Sequence, residues 1–288
     1  MKLLDSDSRY VLTLEAASMR GQVAAITEFL ESEEAYIEEF AVFDDQPTCS
    51  FYVRAQFRAK AACIDLFRTG YQKVLSRFHN SKGSIYEMGV PVRAIVMVSK
   101  TDHCLRELVT QIESGGLNLQ IVAVVSNHAL YENYVKSLGV PFHQLTVTPE
   151  NKLAQEEQLL KLYEKYNAEY ILLARYMQIL SDSLCKRLHG KIVNIHHSFL
   201  PGFKGARPYQ QAYDRGVKLI GATAHFATSD LDEGPIVEQE LQRVDHTYSP
   251  AALLNVGRTI ESMVFARAAR LIADRRVFIN GLRTIVLR

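Results

Sequence analysis

The chain has 288 residues, room for two ordinary domains, and 48% of them are hydrophobic, enough for substantial cores. Its 33 Lys and Arg nearly balance 32 Asp and Glu, with no block of either sign, so nucleic acid and anionic membrane are poor partners. No apolar run approaches the roughly 20 residues of a bilayer span, and Met1-Lys2-Leu3-Leu4-Asp5 turns acidic too early for a secretory signal. Cys49, Cys63, Cys104 and Cys185 form no Cys-x-x-Cys pair. They are expected to be reduced, buried thiols of a cytoplasmic protein without a structural metal.

Residues 1–86 read as a small α+β unit. Tyr10 to Glu15 alternates apolar and polar side chains, the pattern of a half-buried strand. Gln22 to Leu30 places Val23, Ile26, Phe29 and Leu30 at helical spacing. Tyr36 to Phe43 is a second strand, closed by the turn signal Asp44-Asp45-Gln46-Pro47. Ser50 to Phe57 is a third, with Phe51, Val53, Ala55 and Phe57 on one face. Lys60 to Phe78 returns to helical period, and Ser84 to Met88 supplies a last edge strand. The order βαββαβ is the split, ferredoxin-like arrangement.

After a linker at Glu87-Met88-Gly89-Val90-Pro91, residues 87–288 alternate strands and helices. Arg93 to Ser99 is a near-continuous apolar run, as a strand covered on both faces requires. Thr101-Asp102 offers N-cap chemistry to a helix over His103 to Ile112. Leu119 to Ser126 is the next strand and Tyr131 to Leu138 the next helix. Thr148-Pro149-Glu150 starts a helix reaching Tyr166. Tyr170 to Ala174 is again a strand, Ser181-Asp182 caps a helix, and Lys191 to Asn194 is a short buried strand. Ser249-Pro250 opens the longest helix, to about Ala273, with an apolar face of Leu253, Leu254, Val256, Ile260, Val264 and Phe265. A last strand covers Thr284 to Leu287. This rhythm predicts an α/β domain with a doubly wound, mostly parallel sheet.

Chemistry gathers in Val193-Asn194-Ile195-His196-His197-Ser198-Phe199-Leu200-Pro201. Side chains alternate along a strand, so Asn194 and His196 share one side while Ile195 and His197 take the other. A carboxamide beside a proton-carrying imidazole, above the carboxyl ends of parallel strands, suits an oxygen that gains negative charge. Leu231-Asp232-Glu233-Gly234-Pro235 can return a carboxylate, and spacing alone does not choose between Asp232 and Glu233. His197 on the opposite face is expected to be structural. His225 shares a strand face with Thr223, where it either supports the active-site loop or simply packs. His128 ends a strand at the ligand side, and Lys204 and Arg207 are candidate contacts for an anionic tail; all three are left without a role.

These stretches resemble the folate-dependent formyltransferase family, whose members carry Asn-x-His-x-Ser-Leu-Leu-Pro and then a loop Asp a few dozen residues on. Ala174-Arg175-Tyr176-Met177-Gln178-Ile179-Leu180 and Gly205-Ala206-Arg207-Pro208-Tyr209 extend the likeness. Residues 1–86 are similar to an ACT domain, a small regulatory or subunit-pairing module. The effector loop Cys-Pro-Asp-x-x-Gly of that module is replaced here by Ala16-Ala17-Ser18-Met19-Arg20-Gly21, so a pairing role and an effector site both stay open. The resemblance implies catalytic roles for Asn194, His196 and Asp232: oxyanion donor, proton shuttle, and orienter of the attacking water. It implies a substrate-binding set of Met177, Gln178, Leu180, Thr228, Ser229, Asp230, Leu231 and His225, with the pterin held largely by main chain. It also implies no cofactor and no metal, a folate substrate, and a homo-oligomer.

Within the family the acceptor of the formyl group varies. Members that formylate a nucleotide amine hold its phosphate on a glycine-rich loop after the first strand, where bare backbone amides crowd the anion. That loop is Ser99-Lys100-Thr101-Asp102-His103 in this chain, with no glycine and with an acid. Water is the acceptor that needs no binding pocket. The expectation is therefore hydrolysis of 10-formyltetrahydrofolate to tetrahydrofolate and formate. Transfer to a small amine, or a folate- or amino-acid-sensing regulator without turnover, are the alternatives.

Overall fold

The computed structural model describes residues 7–60, 64–200 and 208–288. Backbone contacts divide the chain into two units, 1–91 with 274–278 and 285–288, and 92–273 with 279–284. The first unit holds β1 (Asp7–Ala17), α1 (Gln22–Ser32), β2 (Tyr36–Asp45), β3 (Ser50–Lys60), α2 (Ile64–Leu75) and β4 (Lys82–Glu87). Its sheet runs β2-β3-β1-β4 and is antiparallel throughout, the ferredoxin-like order. The period of two puts Tyr10, Leu12, Leu14 and Ala16 of β1 on the same face as Val53, Ala55 and Phe57 of β3, under Ile26, Phe29 and Leu30 of α1 and Phe67 and Tyr71 of α2. Gly21 enters α1 at φ +85°, a left-handed conformation that a residue without Cβ adopts at no steric cost. The helical pattern expected over Lys60 to Phe78 is shorter, and residues 61–63 lie outside the described residues.

The opposite face of this sheet explains why the last residues of the chain belong to the first unit rather than to the second, where the sequence reading put them. Arg54 is wholly buried on β3; its Nε–H donates to the Asp274 carbonyl (2.9 Å) and it pairs with Glu39 (3.1 Å). A buried guanidinium requires such acceptors. Beside it Tyr52 packs on Phe278, with Leu287 completing the cluster.

The second unit contains β5 (Val92–Val98), α3 (His103–Glu113), β6 (Leu119–Ser126), α4 (Glu132–Ser137), β7 (Phe142–Gln144), α5 (Lys152–Lys165), β8 (Tyr170–Leu173), α6 (Asp182–Arg187), β9 (Ile192–His196), α7 (Pro208–Asp214), β10 (Leu219–Phe226), β11 (Ile236–Arg243) and α8 (Pro250–Ala273). The hairpin β12 (Val277–Asn280) and β13 (Arg283–Val286) follows. The seven-stranded sheet has order β11-β10-β9-β8-β5-β6-β7. Pairings from β9 through β7 are parallel, and β10 is antiparallel to both β9 and β11. Strand order reverses between β5 and β8, which opens a crevice at their carboxyl ends. No helix among the described residues is long and apolar enough to cross a membrane.

Local details differ from the sequence reading. Asp102 does not cap α3, because its carboxylate turns to Arg106 one helical turn on. Helix α5 starts later than Thr148-Pro149-Glu150: the Thr148 amide donates to Asn151 Oδ1 (2.7 Å) and the Asn151 amide to Thr148 Oγ1 (3.3 Å), a turn closed before the helix begins. Ser181 does cap α6, accepting from the Leu184 amide (3.2 Å). Cys104 and Cys185 are buried free thiols, Cys49 is exposed, and Cys63 lies outside the described residues.

Helix α8 buries Leu253, Ile260, Val264 and Phe265, but Leu254 is turned outward, 37% exposed. Leu254, about 100° of rotation from Leu253, falls outside the narrower core face at this end of the helix. Phe265→Ala is expected to cost about 3–5 kcal/mol in urea unfolding, and Leu254→Ser to stay within about 0.5 kcal/mol.

Candidate active site

Strand β9 ends with Asn194 and His196 on one face. Across the antiparallel pairing, His225 of β10 faces Asn194 and Thr223 faces His196. Thr223 fixes the chain as it leaves the strand: its hydroxyl donates to the Ser198 carbonyl (2.9 Å) and accepts from the Leu200 amide (3.1 Å) and Gln239 Nε2 (2.9 Å). His225 is 2% exposed, and its Nδ1 donates to the Phe226 carbonyl (2.9 Å). That bond puts the proton on Nδ1 and leaves Nε2 as an acceptor. Asn194 Nδ2, 3.2 Å away, is the donor that fills it. One amide N–H is thereby anchored, and the carboxamide is oriented with its second N–H unspent on His225.

The loop after β10 returns Asp232 to this pair. Asp232 Oδ2 lies 3.2 Å from His196 Nδ1, and Oδ1 lies 3.6 Å from His225 Nε2, longer than a hydrogen bond. Asp232 holds φ +59°, a left-handed conformation that short polar residues tolerate better than most. Two positions on, a Cβ at Gly234 would stand 1.7 Å from the Phe226 carbonyl oxygen, so only glycine lets the loop press this closely on the end of β10. Burial alone would raise the Asp232 carboxyl; the hydrogen bond and charge of the His196 imidazole outweigh it and hold the group below the usual carboxylate range. It is ionised at any working pH.

A cavity opens over these groups. Asn194, His196, His225 and Asp232 line it together with Met177, Gln178, Leu180, Thr228, Ser229 and Leu231. Met177, Ile179 and Leu231 are each more than half exposed, an apolar rim on an open crevice. Of the residues expected here, Asp230 is outside the lining; its carbonyl accepts from Thr228 Oγ1 (3.0 Å) and shapes the turn. The carboxylate that faces His196 is that of Asp232 rather than of Glu233.

His197 departs from expectation. The strand stops at His196, so alternation no longer governs the next residue, and the His197 ring stacks on His196 within the same cavity wall. His128 is placed away from the cavity: Asn127 Nδ2 is 3.3 Å from its Nε2 and its amide donates to Ser126 Oγ (3.1 Å). Lys204 and Arg207 lie outside the described residues. The sequence reading missed Arg175, which enters the lining from the loop after β8. It also missed a buried knot of His103, Tyr209 and Glu261 behind it. His103, Cys104 and Glu261 converge closely enough to suggest metal donors. The Glu261 carboxylate, however, is already taken by His103, Arg175 and Tyr209, and burial pushes the Cys104 thiol well up.

Comparison with known proteins agrees with this architecture. The family model described as formyl transferase matches residues 92–269. A formyltetrahydrofolate deformylase of Corynebacterium sp. strain P-1 is 42% identical, over 97% of this chain and 98% of its own length. The crystal structure of formyltetrahydrofolate deformylase from Burkholderia mallei superposes with a TM-score of 0.94 at 46% identity, covering 98% of this chain and all of that one. Glycinamide ribonucleotide transformylase 1 of Symbiobacterium toebii matches with a TM-score of 0.65 at 27% identity, over 70% of this chain and 97% of its own. The chain belongs to the formyl transferase family, and within it to the members that bear the name formyltetrahydrofolate deformylase.

Proposed function

We propose that this protein hydrolyses the N10-formyl amide of 10-formyltetrahydrofolate, with Asn194, His196 and Asp232 as its catalytic residues. The observation that carries the reading is the meeting of those three side chains in one cavity, in a chain 42% identical over nearly its whole length to a protein named for that activity. The formyl carbon is bonded to an aniline-like nitrogen whose lone pair is partly drawn into the ring, so the amide is weaker than a peptide bond. Water ordered by the Asp232 carboxylate adds to that carbon. The oxygen that becomes anionic is received by the unanchored N–H of Asn194 and by the His196 imidazole. Asp232, ionised beside Nδ1, favours the protonated ring while the charge exists. The proton that the attacking water gives up passes by way of His196 to N10, the C–N bond breaks as N10 takes it, and the formic acid left behind ionises to formate beside free tetrahydrofolate.

The main chain of Met177 to Leu180 and of Thr228 to Leu231 would hold the pterin, which suits a wall whose side chains are largely turned outward. Water as the acceptor is supported by the loop Ser99 to His103, which has no glycine and carries Asp102 where a phosphate would need bare amides.

Purified protein incubated with 10-formyltetrahydrofolate and no amine is expected to release formate and tetrahydrofolate in equal amounts. Release that depends on an added amine would make it a transferase, and binding without turnover would make it a sensor. Asn194→Ala should lower kcat about 10²–10³-fold, and Asp232→Asn by at least about 10²-fold, with melting temperatures that show an intact fold. Gly234→Ala, by forcing the Asp232 loop off Phe226, should cost on the order of 10² in kcat through misplacement alone. Wild-type turnover in Asn194→Ala or Asp232→Asn would rule out the assignment.

A further inference from the structure

The ring stacked on His196 has partners of its own. The His196 and His197 centroids are 4.6 Å apart, with planes 23° from parallel. His197 Nδ1 is 2.7 Å from Nη1 of Arg175. A guanidinium only donates, so Nδ1 accepts, and the proton of the neutral ring sits on Nε2. Arg175 is in turn anchored. Its Nε lies 3.2 Å from Glu261 Oε2, and the same carboxylate takes His103 Nε2 (2.8 Å) and the Tyr209 hydroxyl (2.5 Å). A Cβ at Gly257 would stand 2.1 Å from the Tyr209 ring, so the helix surface that receives this ring is bare by necessity. Arg175 also holds φ +63°. A long side chain keeps that strained backbone only where its surroundings over-determine it, and such strain gathers at functional sites.

We propose that Arg175 is a positioning residue for His196: anchored by Glu261, it holds His197 as a neutral ring flat against His196, so that only His196 exchanges a proton in the cavity. This rests on the reading of His196 as the proton carrier of the hydrolysis. The groups that face His197 are Arg175 from the loop after β8, His196 from β9, Glu261 from α8 and Asp232 from the loop after β10. Burial, Arg175 and His196 push the His197 imidazole down to about 4, against the opposing pull of Glu261 and Asp232. A second cation this close would oppose the proton that His196 must carry. With Arg175 replaced, His197 titrates nearer the pH of turnover, and the catalytic ring meets a like charge as pH falls.

Nitrogen shifts of the histidine-labelled full-length protein test the arrangement without an assay. His197 is expected neutral from pH 8 to pH 5, bare at Nδ1 and protonated at Nε2. In Arg175→Met its titration should move up by about one pH unit. For kinetics, Arg175→Met should lose about twofold more kcat, relative to wild type, at pH 5 than at pH 8, with KM for the folate nearly unchanged. Adding His197→Phe, a flat ring that cannot titrate, should restore the wild-type ratio of the two rates. A wild-type His197 that is cationic at pH 6, or protonated at Nδ1, overturns the proposal. So does an equal loss of kcat at both pH values, the mark of a merely structural role. Should Arg175→Met not fold, the wild-type shifts still decide. Should no formate be released at all, the hydrolase reading falls, while the shifts still judge the Arg175–His197 pair.

Discussion

The antiparallel register between β9 and β10 is what the rest of the site depends on. Because Asn194 lies opposite His225 and His196 opposite Thr223, both proposed catalytic side chains of β9 have a β10 residue across from them. His225 orients the carboxamide, and Thr223 ties down the chain beyond the imidazole. A slip of one residue would turn every one of these side chains to the far face of the sheet. The third group arrives by a tighter constraint, since Gly234 brings the loop carrying Asp232 against the carbonyl of Phe226. Ala222 and Ala224, alternate residues on the other face of β10, are fully buried. The buried face fixes the register, and the register fixes the chemistry.

Two carboxylates divide the electrostatic work of the cavity. Asp232 sits beside the His196 imidazole, which keeps it ionised, and faces the proposed reacting space. Glu261 is buried more deeply and is also held low, against the cost of burial, by His103, Arg175 and Tyr209. A buried carboxylate with three such partners is a rigid post, because removing any one of them leaves charge unpaired. It carries Arg175, and Arg175 carries His197. The stack of two rings thus rests on helix α8, an element far along the chain from either histidine.

That distance explains which parts of the molecule were legible in the sequence. The βαββαβ order, the alternation into a parallel sheet, and the long helix after Ser249-Pro250 all follow from local periodicity and capping. Asn194 and His196 were legible because they are two apart on one strand, and Asp232 because the resemblance chose it over Glu233. Arg175, Glu261 and His103 gave no local signal: they come from a loop and two helices and meet only in the fold. The one hint was Arg175 itself, a charged residue directly after an apolar strand and ahead of the Met177 to Leu180 segment. The Arg54 pairing that draws the last residues into the first unit was hidden for the same reason, being a contact across 220 positions.

The loop after β5 bears on which acceptor the proposed reaction can use. A phosphate-binding loop works by leaving backbone amides bare. Here several polar groups of the loop already have partners. Ser99 Oγ donates to Asn127 Oδ1 (2.7 Å) and accepts from the Met177 amide (3.0 Å), the Lys100 carbonyl accepts from the Tyr131 hydroxyl (2.8 Å), and Asp102 holds Arg106. His103 closes the loop onto Glu261. An anionic acceptor approaching this end of the sheet would meet the Asp102 carboxylate. The Ser99 bond to Met177 has the opposite effect on the folate side, since it holds the segment proposed to cradle the pterin. One hydroxyl thus ties the segment proposed to cradle the pterin to the loop after β5 and to the end of β6, so the identity of the residue at 99 bears on both sides of the crevice.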